Sequence, residues 1–407
     1  MSVQICRRID DVDGAAWDQV VAEQTLFLQR RYLRCLEEPS GADADRRRYA
    51  IVSDDSGPLA VACFQLADFV GKPAEGWLAR RSPAGALLAR QLGLRDREIS
   101  VRVLVCGNPF TTGEHGFGAA PGVSPARAVQ AVAAAVDRLE RERSEVDGYR
   151  AVLVKEFYPS TKATVRSLTS HSFSEIETAP NMVLLMDPAW RTFEGYLESL
   201  SSKFRVKAKR AYAKSGALEV RDLSAEDLRR HLPRVRELYD AVVDRAEYRL
   251  GRMPPEVLAR LRRALGDELI LKGYFLDGQL AGFLSGFVDG DTLEAHVVGL
   301  DYQHNRDHGI YCRMLYDYLR IALERGLQRV SYGRTADEIK SSVGAMPVSM
   351  SCYVRHRERS LNRLLPALAR YVRIPSAPLR EPFKKAWYAI HGSLAAQRLG
   401  LPGGASA

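Results

Sequence analysis

The sequence predicts an α/β protein built from two tandem copies of one unit, each a mixed, mostly antiparallel sheet flanked by helices. Three observations lead there: a three-strand meander over residues 269–300, the strand, helix and strand order that follows it, and the return of that order in the first half. In the meander, LILKGYFLD reads as a strand, Asp277-Gly278 as a tight hairpin turn and QLAGFLSGFV as a second strand, after which Asp289-Gly290 turns into TLEAHVVGL. The polar loop DYQHNRDHG precedes IYCRMLYDYLRIALER, where Ile310, Met314, Leu315, Tyr318, Ile321 and Ala322 recur at helical spacing. Gly326 stops that helix and RVSYG resumes as a strand. A strand, a crossover helix and a strand make a parallel pair, and such units tend to take ligands at the carboxyl ends of their strands.

The first half repeats the order less clearly. RYAIVS and LAVACFQLAD flank a DDSGP turn, and SVRVLVC is a third strand beyond an insertion between residues 68 and 99. GNPFTTGEHGFG is then a glycine-rich loop, SPARAVQAVAAAVDRLERER a helix and AVLVKEF the next strand. Helical segments precede each half, at 14–37 and at 225–265, the latter broken at Pro254-Pro255. The expected units are 1–187, 188–352 and a basic C-terminal extension over 353–407.

With 407 residues, 46% hydrophobic and 27% charged, the chain has the apolar fraction of folded domains, which excludes a long disordered tail or a disulfide mini-scaffold. No apolar run approaches the roughly 18 residues a membrane span needs, and aspartates interrupt the start, so a cytoplasmic location is expected. The six cysteines show no C-x-x-C pair, and no metal is expected. The net charge of +9 is concentrated: residues 203–214 carry six cations and no acid, and residues 353–388 carry a local excess of +7, leaving the remainder at −4. Such patches suit transfer RNA, a phosphorylated carrier or an anionic membrane surface, although a solvated helix face explains them equally. No DNA partner is expected.

These residues resemble the acyl-CoA N-acyltransferase (GNAT) superfamily, so the two units are read as tandem GNAT-like domains. The superfamily's pyrophosphate signature is an aliphatic residue, four further positions, then Q/R-x-x-G-x-G/A at a helix start. Here Val298 is followed at that spacing by Gln303, but Arg306 and His308 replace the two small residues and Gly309 comes one place late. YGRTADEIKSSVGA, with Lys340 and Gly344, is similar to the end of the corresponding domain in tandem proteins such as the Fem-type peptidyltransferases, which also carry a basic helix like SSKFRVKAKRAYAK. The resemblance implies acyl-CoA as co-substrate, with Val298, Gln303, Arg306, Gly309, Arg334 and Lys340 at the donor. It also implies that the fourth and fifth strands of the unit, here 294–299 and 329–333, splay apart to admit the carrier's arm.

The remaining candidates follow from chemistry. Glu294 and His296 alternate along one strand and face one side, where either could take the proton an attacking amine must lose. A paired carboxylate and a core histidine are the competing readings. Tyr332 could protonate a departing thiolate. Asn108, Glu114 and His115 sit in the glycine-rich loop, where they could meet an acceptor or merely set a bend. Lys207 and Arg210 lie on one flank of the basic helix. The expected function is acyl transfer to a small-molecule or peptide amine, in cell-envelope or peptidoglycan-related biosynthesis. The alternatives are aminoacyl-tRNA-dependent peptidyl transfer and a non-catalytic scaffold.

Overall fold

A computed structural model describes residues 1–38, 40, 46–71, 99–142, 148–246, 248–369 and 378–390. Most of the insertion expected between residues 68 and 99 lies outside the described residues. In the first half the strands are β1 (Ser2–Cys6), β2 (Arg47–Asp54), β3 (Gly57–Gly71), β4 (Ile99–Cys106), β5 (Phe117–Ala119), β6 (Ala151–Phe157) and β7 (Ser174–Leu185). The second half supplies β8 (Glu219–Asp222), β9 (Tyr248–Leu250), β10 (Leu269–Leu276), β11 (Gln279–Asp289), β12 (Thr292–Leu300), β13 (Arg329–Ser331) and β14 (Met346–His356). The helices of the first half are α1 (Gly14–Val21), α2 (Arg30–Leu36), α3 (Pro125–Arg141) and α4 (Pro159–Val165). Those of the second are α5 (Phe193–Ser199), α6 (Ser202–Lys214), α7 (Ala225–Arg230), α8 (Leu232–Val243), α9 (Glu256–Leu265), α10 (Tyr302–His308), α11 (Ile310–Glu324), α12 (Asp337–Ser341) and α13 (Arg359–Ala369).

Local chemistry accounts for the elements that were expected. Asp277 at φ 49° and Gly278 at φ 76° form the left-handed pair of a two-residue hairpin between β10 and β11. On α11 the predicted stripe is the buried face, from Ile310 and Met314 to Ile321 and Ala322. Ser124 caps α3 by accepting from the Arg127 N–H, with Pro125 at the first helical position. On α6 Phe204 and Ala208 are buried while Lys203, Lys207, Lys209, Arg210 and Lys214 are exposed.

The sheet runs β1-β2-β3-β4-β6-β14-β7-β13-β12-β11-β10-β8, with β5 and β9 pairing beside β3. Each half contains one parallel pair, β4 with β6 and β12 with β13, joined by the crossover helices α3 and α11. The last strands of the two halves change places. β7 pairs with β13, β14 pairs with β6, and β7 and β14 lie antiparallel to each other from Ser174–Val354 to Val183–Met346. One continuous sheet therefore crosses the expected division at residue 187. The C-terminal segment also packs on the second half: Phe383 is buried and stacks on Trp190, and the Trp387 indole N–H donates to Asp187 Oδ2 at 2.8 Å.

The β12 backbone is tightly covered at Gly299, where an added Cβ would strike the Phe283 ring and lie 2.8 Å from Leu238 Cβ on α8. Overpacking of this kind costs about 1–3 kcal/mol, so Gly299→Ala should lower the urea midpoint by a corresponding amount without changing the slope. An unchanged midpoint would show that Phe283 can rotate away.

Candidate active site

The two parallel pairs differ at the point where a unit of this kind opens. In the first half, β4 and β6 stay paired through Val103–Ala151 to Cys106–Val154, and the loop that follows folds back over their ends. The Cys63 N–H donates to the Gly116 carbonyl, and a Cβ at Gly116 would lie 2.9 Å from the Cys106 carbonyl oxygen. Gly116 thus lets the loop approach the protein's own backbone, while Gly113 and Gly118 lie against the side chains of His115, Tyr158, Gln24 and Leu28. In the second half, the β12–β13 pairing holds three rungs, from Thr292–Arg329 to Glu294–Ser331. From Ala295 to Leu300 β12 has no partner strand on that side among the described residues. A half-open strand edge therefore begins just after Glu294.

Glu294 is half-buried. Burial raises its carboxyl pKa to about 8; Asp289 acts in the same direction, while the Ser331 hydroxyl and Arg329 oppose it. His296 lies against the Phe287 ring, with centroids 4.8 Å apart. Ser285 Oγ donates to the Val297 carbonyl at 2.9 Å, so the 3.2 Å contact from His296 Nδ1 is satisfied when Nδ1 carries the proton. Burial lowers this imidazole to about 3. It is neutral at ordinary pH and a much weaker base than Glu294.

Residues of the first half meet Glu294 here. Asn181 on β7 donates from Nδ2 to Ser331 Oγ at 2.9 Å and to the Tyr158 hydroxyl oxygen at 2.8 Å. Glu294 and Tyr158 are close enough for the carboxylate to help hold the phenol proton on, after burial as the main cause. Asp289 accepts from Thr25 Oγ and from the Leu26 N–H, and Thr25 Oγ also meets His115 Nδ1 at 3.1 Å.

Several residues expected at the site are engaged in contacts within the fold. Asn108 is buried, donating to Tyr32 and accepting from the Phe110 N–H. Glu114 accepts from the Tyr158 N–H at 2.8 Å and from Thr161. His115 donates from Nε2 to the Thr112 carbonyl at 3.0 Å, and burial lowers its pKa. Tyr332 is buried with its hydroxyl donating to the Leu315 carbonyl at 2.9 Å. Arg334 pairs at 2.8 Å with Glu156; burial alone would raise that carboxyl, but Lys155 and Arg334 outweigh it and hold it low. Lys340 bonds the carbonyls of Gly333 and Arg334, and burial lowers its ammonium to about 7. It braces the loop after β13.

The expected phosphate loop at 301–309 is also different: it is the short helix α10, capped by Asp301, which accepts from the Gln303 and His304 N–H groups. Asn305 Oδ1 takes the Tyr311 N–H at 2.8 Å, so part of the anion seat at the start of α11 is already filled by a side chain. Gln303 and Arg306 are exposed, and Val298 is half-buried. Beside this helix start lies a cavity of about 180 Å³, lined by Lys207, Arg210 and Lys214 of α6, by Gly309 and Cys312, and by an apolar wall including Leu315, Ile339 and Val343. Tyr316 also lines it, and its hydroxyl is buried without a hydrogen-bond partner among the described residues. The cations come from α6 and not from the loop, because α6 packs across the start of α11. Neither the Asn181–Tyr158 contact nor the cavity had a sequence signal, since both depend on tertiary packing.

The second half thus holds a raised carboxyl at an opened parallel pair and a cation-lined cavity beside its crossover helix. Residues 202–341 match the family model described as an acetyltransferase (GNAT) domain, and that part of the chain is a GNAT domain. No curated protein sequence matches the chain. Among solved structures it is similar to FemX, with 13% identity over 90% of this chain and 100% of that one at a TM-score of 0.48. Saccharomyces cerevisiae N-myristoyltransferase with bound myristoyl-CoA gives 10% identity, coverage of 87% and 79%, and a TM-score of 0.46. A GCN5-related N-acetyltransferase from Anabaena variabilis gives 12%, 87% and 73%, and 0.42. No described helix is long and apolar enough to cross a membrane, and no described group of His, Cys, Asp and Glu could hold a metal ion.

Proposed function

We propose that the chain transfers an acyl or aminoacyl group from an activated carrier to an amine, with the chemistry in the second half. The observation that carries this reading is the strand edge that opens at Glu294. An extended pantetheine-like arm can pair with such an edge by main-chain hydrogen bonds. The GNAT match over the same elements supports acyl-CoA as the carrier. In the transfer, the amine nitrogen attacks the carbonyl carbon and the C–N bond forms. Glu294 takes one N–H proton. The bond from carbon to the carrier's sulfur or oxygen then breaks, and the leaving atom takes a proton from solvent.

Lys207, Arg210 and Lys214 would hold the carrier's phosphates at the cavity mouth, while Leu315 and Val343 face its apolar part. Charge-assisted contacts contribute about 1.5–3 kcal/mol each, so alanine at any one of the three cations should weaken carrier binding by roughly tenfold or more. Isothermal titration with acyl-CoA measures this. Equal affinity in all three variants would place the carrier elsewhere.

A second carrier class is favoured by one observation: Lys203 and Lys209 extend the cationic face of α6 away from the cavity. An aminoacyl-tRNA would use that ridge. A thermal-shift series separates the two, because stabilisation by acyl-CoA supports the first and salt-sensitive binding of charged tRNA the second. No stabilisation by either, together with no transfer, would leave a non-catalytic scaffold. The acceptor is proposed to be a small-molecule or peptide amine entering between the halves, and a role in envelope biosynthesis is the corresponding proposal. We also propose the division at 187/188 as a unit of duplication, not of folding, and contact of the basic 353–407 segment with an anionic membrane surface.

A further inference from the structure

The first half lacks an opened parallel pair, yet it sends Asn181 and Tyr158 to the side of Glu294. An asparagine carboxamide has two N–H donors. Both are directed here, one to Ser331 Oγ at 2.9 Å and one to the Tyr158 hydroxyl oxygen at 2.8 Å. Two consequences follow from counting protons. Ser331 accepts from Asn181, so its own proton is available to the Glu294 carboxylate in preference to the longer 3.3 Å contact with Asn181 Oδ1. Tyr158 also accepts from Asn181, so its O–H cannot return that bond and must point elsewhere. No described residue accepts it. The hydroxyl lies 3.4 Å from the position a Cβ would take at Gly113, an ordinary contact distance.

We propose that Tyr158 donates its O–H to the carbonyl oxygen of the acyl group under attack at Glu294, and that Asn181 is the positioning residue that orients both. The inference rests on the reading of Glu294 as the base. As the amine adds, negative charge builds on the carbonyl oxygen, and a fixed donor lowers the barrier because it is already oriented. The phenol stays protonated throughout; only a hydrogen bond strengthens. The exchange of β7 and β14 explains how a residue of the first half reaches a site of the second: β7 carries Asn181 into the sheet beside β13, which carries Ser331.

The test uses the full chain. Tyr158→Phe removes one oxygen and should lower kcat by about 10–100-fold, within the range for one lost oxyanion donor, with donor KM and melting temperature unchanged. Wild-type kcat in this variant overturns the role of Tyr158. Asn181→Asp keeps the shape but loses both donors and adds a negative charge. Its rate should fall similarly, and the acidic limb of its pH profile should move to higher pH. Carbon-13 NMR of the Glu294 carboxyl reads the positioning role without any turnover. The titration midpoint, about 8 in the wild type, should rise in Asn181→Asp, and an unmoved midpoint overturns that role. Should Asn181→Asp fail to fold, the same midpoint is read in Asn181→Ser, where loss of the Asn181 contacts should shift it. A wild type that transfers from neither acyl-CoA nor aminoacyl-tRNA, yet shows these shifts, would sink the functional reading and leave the positioning intact.

Discussion

Glu294→Gln is expected to reduce transfer by roughly 10²–10⁴-fold, the range associated with a lost general base, while the fold persists. Glutamine matches the shape of the carboxylic acid but cannot take a proton. The same residue sets a pH profile. Burial lifts its carboxyl to about 8, Asp289 reinforces this, and Ser331 and Arg329 oppose it, with the neutral Tyr158 alongside. Only the ionised form is a base, so the rate should rise about tenfold per pH unit below that value and level off above it. Stability runs in the other direction. The folded pKa lies above the unfolded one, so the contribution of the protonated acid is complete below the ordinary carboxylate range and is lost as pH rises through about 8. The glutamine variant should therefore gain in melting temperature relative to the wild type across that window. A flat rate profile and a fully active variant would together remove Glu294 from the chemistry.

The second large effect concerns the exchange of strands. Residues 188–407 expressed alone are expected to give no soluble, cooperatively melting protein. Without β7, β13 loses its antiparallel neighbour and one edge of β14 is exposed, while the other edge of β14 has lost β6. Unpaired edges of that length invite aggregation. Co-expression with residues 1–187 should restore a single transition by calorimetry and one peak by size-exclusion chromatography. A second half that melts cooperatively by itself would mean that the exchange contributes little.

Much of the second unit was legible in the sequence. The two hairpins were readable because Asp277-Gly278 and Gly290 adopt positive φ, a local preference that needs no tertiary help. The stripe of α11 was readable because burial of one helix face repeats every three or four residues. Glu294 and His296 could be assigned to one side from strand alternation alone. Residues 301–309 were expected as a polar loop, whereas Asp301 caps a short helical turn there, a choice that the sequence pattern does not distinguish. In the glycine-rich loop, close approach by backbone looks the same in sequence whether the neighbour is a ligand or, as at Gly107, Lys155.

What the sequence determined by itself was periodic or local: the α/β class, the duplication, the crossover helices, the basic helix and the strand bearing Glu294. Only the tertiary structure decided that β7 and β14 change places, that the first parallel pair is closed and the second open, and that Asn181 and Tyr158 reach Glu294. Those outcomes depend on which distant strands compete for the same edge. Pro180 and Pro347 interrupt the alternation of β7 and β14, so their place is set by the partners on either side and not by their own pattern.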